Sequence, residues 1–197
     1  MSESPPNPES PSSPGSLQNV ENLWRYEPYL RMLARVHMRR AYQAKIDASD
    51  IVQQSLMQAV QGLDRFRGET DAELRAWLRQ ILARNIVHLD RDLHREKRDI
   101  RRERSIEDRL AQSSLRLEGW LAAGGPSPSQ NVAVGERIVR LSTAIESLPE
   151  AQRDAVRLHY LEGLKLSECA GRMNKTTGAL AGLLHRAIKT LRNQLGE

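Results

Sequence analysis

LSECAGRMNKTTGALAGLLHRAIKTLR, residues Leu166 to Arg192, contains two apolar patterns of helical spacing that meet at Asn174 across a tight turn. Leu166, Cys169, Ala170 and Met173 are expected to face inward on the first helix, with Ser167 as its cap. Asn174 suits a left-handed turn position, because Asn tolerates positive φ better than other residues with a side chain. Thr176 or Thr177 can then cap a second helix, along which Leu180, Leu184, Ala187, Ile188, Leu191 and Leu195 keep helical spacing. That arrangement leaves Lys175, Thr177, Ala181, His185, Arg186, Lys189 and Arg192 outward. A turn this short sets its helices at a steep angle and offers the amino end of the second to a DNA major groove, as a helix-turn-helix does. Any helical hairpin with small residues at its turn imitates the pattern, so the rest of the chain has to decide.

Charge points the same way. The chain of 197 residues carries a formal net charge of +5 and a pI near 9.7. Residues 75–104 hold ten Arg/Lys against five Asp/Glu, and residues 165–195 hold six against one, so the remainder of the chain sums to −5. Two separated basic stretches on an acidic background suit two contacts with one long polyanion, most simply nucleic acid, although solvated basic helix faces read the same on charge alone.

Upstream, the composition divides the chain. Residues 1–18 are almost wholly Pro, Ser, Glu, Asn and Gly and are expected to form a disordered tail. Leu23, Tyr26, Leu30, Leu33 and Val36 share one helical face. Asp47 to Asp50 signals the start of another helix, with Ile51, Val52, Leu56, Ala59, Val60 and Leu63 as its stripe. FRGET, Phe66–Thr70, reads as a loop, and from Asp71 a third helix turns Leu74, Trp77, Leu78, Ile81 and Leu82 inward. Between about 105 and 135 the pattern weakens around GGPSPS, residues 124–129, which has the composition of a linker. Ile138, Leu141, Ile145 and Leu148 open a second helical block, with Pro149 in a first turn and Gly163 at a helix end. The expected fold is therefore all-α: a tail over 1–20, one small helical domain over 21–104, a flexible linker over 105–135 and a second domain over 136–197.

Other classes are poorly served. One cysteine, Cys169, builds no disulfide or cysteine-rich zinc site and reads as a small core residue. His37, His88, His94 and His159 lack metal-ligand spacing. No phosphate loop, nucleophile triad or carboxylate pair is visible, so neither catalysis nor a cofactor is expected. The chain shows neither a signal-peptide pattern nor an apolar run of membrane-spanning length, which predicts a cytoplasmic protein without a membrane contact.

LPEAQRDAVRLHYLEGLKLSECAGRMNKTTGALAGLLHRAIKTLR resembles region 4 of bacterial sigma-70-type initiation factors, and DASDIVQQSLMQAVQGLDRFRGETDAELRAWLRQILARNI resembles region 2. With only these two regions and a short linker, the chain is similar to the extracytoplasmic-function (ECF) subfamily. That resemblance implies core RNA polymerase and promoter DNA as partners, and leaves room for an anti-sigma factor. It lays core-polymerase contact on Asp50, Gln53, Gln54 and Gln58, Gln54 standing where an acidic residue is common. It lays the minus-10 element on Phe66, Arg67, Trp77, Arg84, Asn85, Arg95 and Arg98, although the family's Asn falls about one position before Asn85. It lays the minus-35 element on Lys175, Thr177, Ala181, His185, Arg186 and Lys189. Ala181-Gly182 replaces a commonly basic-polar pair, which shifts the expected preference onto DNA shape, Lys175 and Arg186. From the residues alone, Trp77 reads as a core anchor, and Asp47 and Asp50 read equally as helix caps. A duplex-binding repressor would need a dimerisation or effector domain, and an RNA-binding protein is poorly served by 4% aromatics.

Overall fold

A computed structural model describes residues 19–38, 47–94, 100–123 and 134–196, and side chains are described in these segments except at 90–94, 100 and 102. No strand occurs among the described residues. The helices are α1 (Val20–Trp24), α2 (Glu27–His37), α3 (Ala48–Gly62), α4 (Asp71–His94), α5 (Ile100–Ala123), α6 (Val134–Ser147), α7 (Glu150–Val156), α8 (Leu166–Arg172) and α9 (Thr177–Leu195).

The first apolar face belongs to two helices rather than one continuous helix. α1 is capped by the Asn19 side chain, which accepts from Glu21 N at 3.1 Å. The chain then turns at Arg25 and Tyr26, and Pro28 stands in the first turn of α2. Proline has no N–H to give to a preceding turn, so a continuous ladder is broken there and a new helix starts at no cost. Leu23, Tyr26, Leu30 and Leu33 remain on one buried face across the break.

Asp47 caps α3 by accepting from Ser49 N at 3.1 Å. A short 3-10 turn, Leu63–Arg65, follows, and then the loop expected at Phe66–Thr70. Glu73 ties that loop to α4: its Oε2 accepts from Glu69 N, Thr70 N and Thr70 Oγ1, each at 2.9 Å, while Thr70 Oγ1 accepts from Glu73 N at 3.3 Å. This is a reciprocal capping box. The N–H of Glu69 foremost, and the hydroxyl and N–H of Thr70, hold the Glu73 carboxyl below its ordinary pKa.

Residues 105–123, expected as part of a linker, instead form most of the 24-residue α5. Ile106, Leu110, Ser113, Ser114 and Leu117 are its buried stripe, at helical spacing. Two of those five positions are serines, which is why the apolar pattern looked weak. Their hydroxyls are satisfied: Tyr29 OH donates to Ser114 Oγ at 2.8 Å, and Ser113 Oγ donates to the Leu161 carbonyl at 2.9 Å. Residues 124–133 lie outside the described residues.

Beside α5, Arg75 is only 4% exposed and is held by the carboxylates of Asp71 and Glu118. Asp71 also takes Arg25 at 2.6 Å and the Tyr26 hydroxyl. The Cα of Gly135 in α6 packs on the same carboxylate, with which a Cβ there would collide.

α5 and α2 together seat the carboxy-terminal helices. Arg35 pairs with Glu146 at 3.1 Å, Arg137 Nη2 donates to the Leu121 carbonyl at 3.0 Å, and Trp120 stacks on Tyr160 with centroids 4.4 Å apart and planes at 8°. α7 continues as a π-helical stretch, Arg157–Leu161, which ends at Gly163 with φ of 73°.

Candidate functional site

The carboxy-terminal turn is built as the sequence suggests. Asn174 has φ of 52°, Asn174 N donates to the Gly171 carbonyl at 3.2 Å and Lys175 N to the Ala170 carbonyl at 2.9 Å. This is the paired closure of a Schellman turn, which consumes two carbonyls at the end of α8. Two residues later Thr176 Oγ1 accepts from Ala179 N at 3.1 Å and starts α9. At the start of α8 the expectation fails. Lys165 rather than Ser167 is the cap residue, with its N–H donating to Glu168 Oε2 at 2.8 Å, and Leu166 is 41% exposed instead of inward. Leu166 is the first residue of that helix, where no preceding turn covers it.

Leu180, Leu184, Ala187 and Leu191 anchor α9, while Ile188 and Leu195 are partly covered. Lys175, Thr177, Ala181, His185, Arg186 and Lys189, the residues expected at a minus-35 element, are all exposed. The Arg186 guanidinium lies back along the helix beside Gly182, where an added Cβ would meet its Nη1 at 3.4 Å, an ordinary contact distance. Arg172, at the end of α8, is drawn aside by Glu162 at 2.7 Å.

The amino-terminal surface is more divided. Asp50, Gln53, Gln54 and Gln58 stand exposed on α3. Gln58 is also tied inward: its Nε2 donates to Asn85 Oδ1 at 3.2 Å, and Asn85 Nδ2 donates to Gln58 Oε1 at 3.3 Å and to Ser55 Oγ at 2.9 Å. Ser55 Oγ donates to the Ile51 carbonyl at 2.7 Å. Asn85, expected at the minus-10 element, is thus 3% exposed with its amide spent on joining α3 to α4.

Phe66 is likewise buried, at 7%, and stacks on the half-buried Trp77 with centroids 4.9 Å apart and planes at 29°. The loop closes over that ring, and any Cβ on Gly68 would collide with it. Arg67 is exposed and its Nη1 donates to the Asp64 carbonyl at 2.7 Å, while Arg84 is exposed 3.7 Å from Glu103. Of the expected minus-10 residues, Arg67 and Arg84 are therefore exposed and Trp77 is half-buried, while Phe66 and Asn85 lie inside. Arg95 and Arg98 lie outside the described residues. The residue that sequence reasoning passed over is Met57, which stands 57% exposed amid the α3 glutamines. Its signal was its place three and four residues beyond Gln54 and Gln53.

Among the described residues, no cluster of three or more His, Cys, Asp or Glu could hold a metal ion, and no helix is long and apolar enough to cross a membrane. The geometry defines a helical protein with a helix-turn-helix at its carboxy-terminal end and a second, glutamine-faced surface on α3.

Comparison with known proteins narrows this class. Residues 25–96 match sigma-70 region 2 and residues 138–191 match sigma-70 region 4. The chain is 31% identical over 158 residues to the ECF RNA polymerase sigma factor SigF of Caulobacter vibrioides, covering 80% of this chain and 76% of that protein. It is 27% identical over 150 residues to SigD of Mycobacterium tuberculosis, covering 76% of this chain and 64% of SigD, so the match spans somewhat less than two thirds of that relative. SigW of Bacillus subtilis is 26% identical over 170 residues, with 86% of this chain and 82% of SigW covered. This chain belongs to the sigma-70 family, within its ECF sigma factors. The family's members are not enzymes.

Proposed function

We propose that this chain directs core RNA polymerase to a set of promoters and starts transcription there, without chemistry or a cofactor of its own. The observation that carries the reading is the pairing, in order along one chain, of a region 2 match with a region 4 match whose expected minus-35 residues are all exposed. On this reading residues 21–104 contain the polymerase and minus-10 unit and residues 136–197 the minus-35 unit, and α5, packed on α2 and α4, joins them where a flexible linker was expected. Asp50, Gln53 and Gln54 face the polymerase. Arg67, Trp77 and Arg84 meet the minus-10 strand, with Arg95 and Arg98 as phosphate contacts, while Lys175, Thr177, Ala181, His185, Arg186 and Lys189 meet the minus-35 duplex. Such basic side chains supply affinity by releasing counterions from phosphates. A promoter-occupancy assay with and without core polymerase tests the reading. Footprints on minus-35 and minus-10 sequences should appear only with both proteins present. A full footprint from the chain alone would instead identify a duplex-binding repressor.

A further inference from the structure

α3 carries a surface that the family reading does not explain by charge. Its inward side, Ala48, Ile51, Val52, Ser55, Leu56 and Ala59, is buried against the neighbouring helices, and Ser55 is locked to Asn85 of α4. The opposite side presents Asp50, Gln53, Gln54, Met57, Gln58 and Gln61, all exposed. Between residues 48 and 62 the single charge is Asp50. In a chain of net charge +5 this face of α3 has no cation, so it offers phosphate no positive charge. At its centre Met57 is 57% exposed, whereas Met32 and Met38 are buried and Met173 is half-buried. A methionine is unbranched and polarisable and adapts its shape to an apolar hollow, and a single apolar side chain ringed by uncharged polar ones is the makeup of an interface centre.

We propose that Met57 is the anchor of the core-polymerase contact. It inserts into an apolar hollow of the polymerase surface while the glutamines hydrogen-bond around it, so the contact is held by packing and is only weakly sensitive to salt. Asp50 lies at the edge of this face and contributes less than Met57. The inference rests on the proposed sigma-factor function and names the residue that secures it.

The test measures affinity of the full chain for purified core polymerase at roughly 0.1 M and roughly 1 M salt, between which the screening length shortens from about 10 to about 3 Å. Met57→Ala should weaken binding by about tenfold or more, the scale expected for loss of a buried methionine side chain. Met57→Leu should bind nearly as the wild type, and Asp50→Asn should lose less than Met57→Ala. Wild-type affinity should change by no more than about threefold between the two salts. Gln54→Glu, which adds a carboxylate, should make binding more salt-dependent. Thermal melting of each variant checks that an exposed substitution leaves the fold intact. A folded Met57→Ala that binds as the wild type does, or a steep fall of wild-type affinity with salt, overturns the anchor while leaving the sigma-factor reading standing. Absence of wild-type binding at either salt overturns both.

Discussion

The carbonyl of Leu161 accepts two hydrogen bonds from α5, one from Ser113 Oγ at 2.9 Å and one from Arg116 Nη1 at 3.0 Å. Leu161 ends the π-helical stretch that leads into the helix-turn-helix, and carbonyls at a helix end lack partners of their own. A helix from the middle of the chain therefore caps the element on which the recognition helix is hung, and it does so with a cation at the negative end of the helix dipole. Gly163 completes the joint: its φ is 73°, and a Cβ there would stand 2.6 Å from Arg116 Cζ.

Arg116→Ala should lower stability by about 1 kcal/mol, since Ser113 still satisfies the carbonyl. Gly163→Ala should cost more, because it combines strain at positive φ with collision against the guanidinium. Urea unfolding of the double variant separates these causes. Removing Arg116 should relieve part of the Gly163→Ala penalty, and strictly additive losses would contradict a steric contact.

His37, beside this joint, lies 3.0 Å from Ser113 Oγ through its Nε2. Burial first, and then the nearby Arg109 and Arg116, push its pKa from 6.5 down to about 4. The unfolded chain then binds the proton more tightly than the folded one. Stability from the neutral ring is present in full above pH 6.5 and is lost as pH falls towards 4, by on the order of 3 kcal/mol. Denaturant unfolding of the wild type should show this loss, and His37→Gln should flatten it. Glu73 acts lower on the scale, because its depressed carboxyl contributes stability above its ordinary value of 4.5 that disappears only as pH falls further. A Glu73→Gln variant should therefore leave the slope between pH 6.5 and 5 unchanged.

Asn85→Ala should act on the fold rather than on DNA. It strands Ser55 and Gln58 inside the α3–α4 contact and should cost about 1–3 kcal/mol, seen as a lower midpoint in thermal melting. Below that midpoint, promoter opening should proceed at the wild-type rate. Slow opening in a fully folded variant, cured by a pre-melted template, would return Asn85 to the DNA surface.

The helix-turn-helix was legible because its signals are local: Asn174 at the left-handed position, Thr176 at the cap and Leu180, Leu184 and Leu191 at helical spacing each announce themselves within a few residues. α5 was not, because Ser113 and Ser114 occupy core positions and their partners Tyr29 and Leu161 lie 85 and 48 residues away in sequence. The same blindness hid the burial of Phe66 and Asn85. An aromatic in a polar loop and an asparagine beside an arginine look like surface groups until Trp77 covers the one and Ser55 takes the amide of the other. Met57 already fell outside the apolar stripe of its helix, and only its exposure among the glutamines singles it out.

Arg186→Ala should weaken binding to minus-35 duplex by the polymerase complex, and lower the slope of log affinity against log salt by about one if the guanidinium reaches a phosphate. Gly182→Ala should leave affinity in the same assay nearly unchanged, because its Cβ meets the guanidinium only at ordinary contact distance, and should raise the melting temperature, since alanine is favoured over glycine inside a helix by about 0.5–1 kcal/mol. Equal losses on duplex and on pre-melted templates for Arg186→Ala would place its effect elsewhere than the minus-35 element.

The most direct test is run-off transcription from fragmented genomic DNA with purified core polymerase, followed by mapping of the RNA 5′ ends. Transcripts that start at discrete positions, that need both the chain and the core, and whose upstream sequences share one minus-35 and one minus-10 element are the expected result. A chain that yields no defined start with core polymerase, while binding duplex DNA on its own, would contradict the assignment of this protein to promoter-specific initiation.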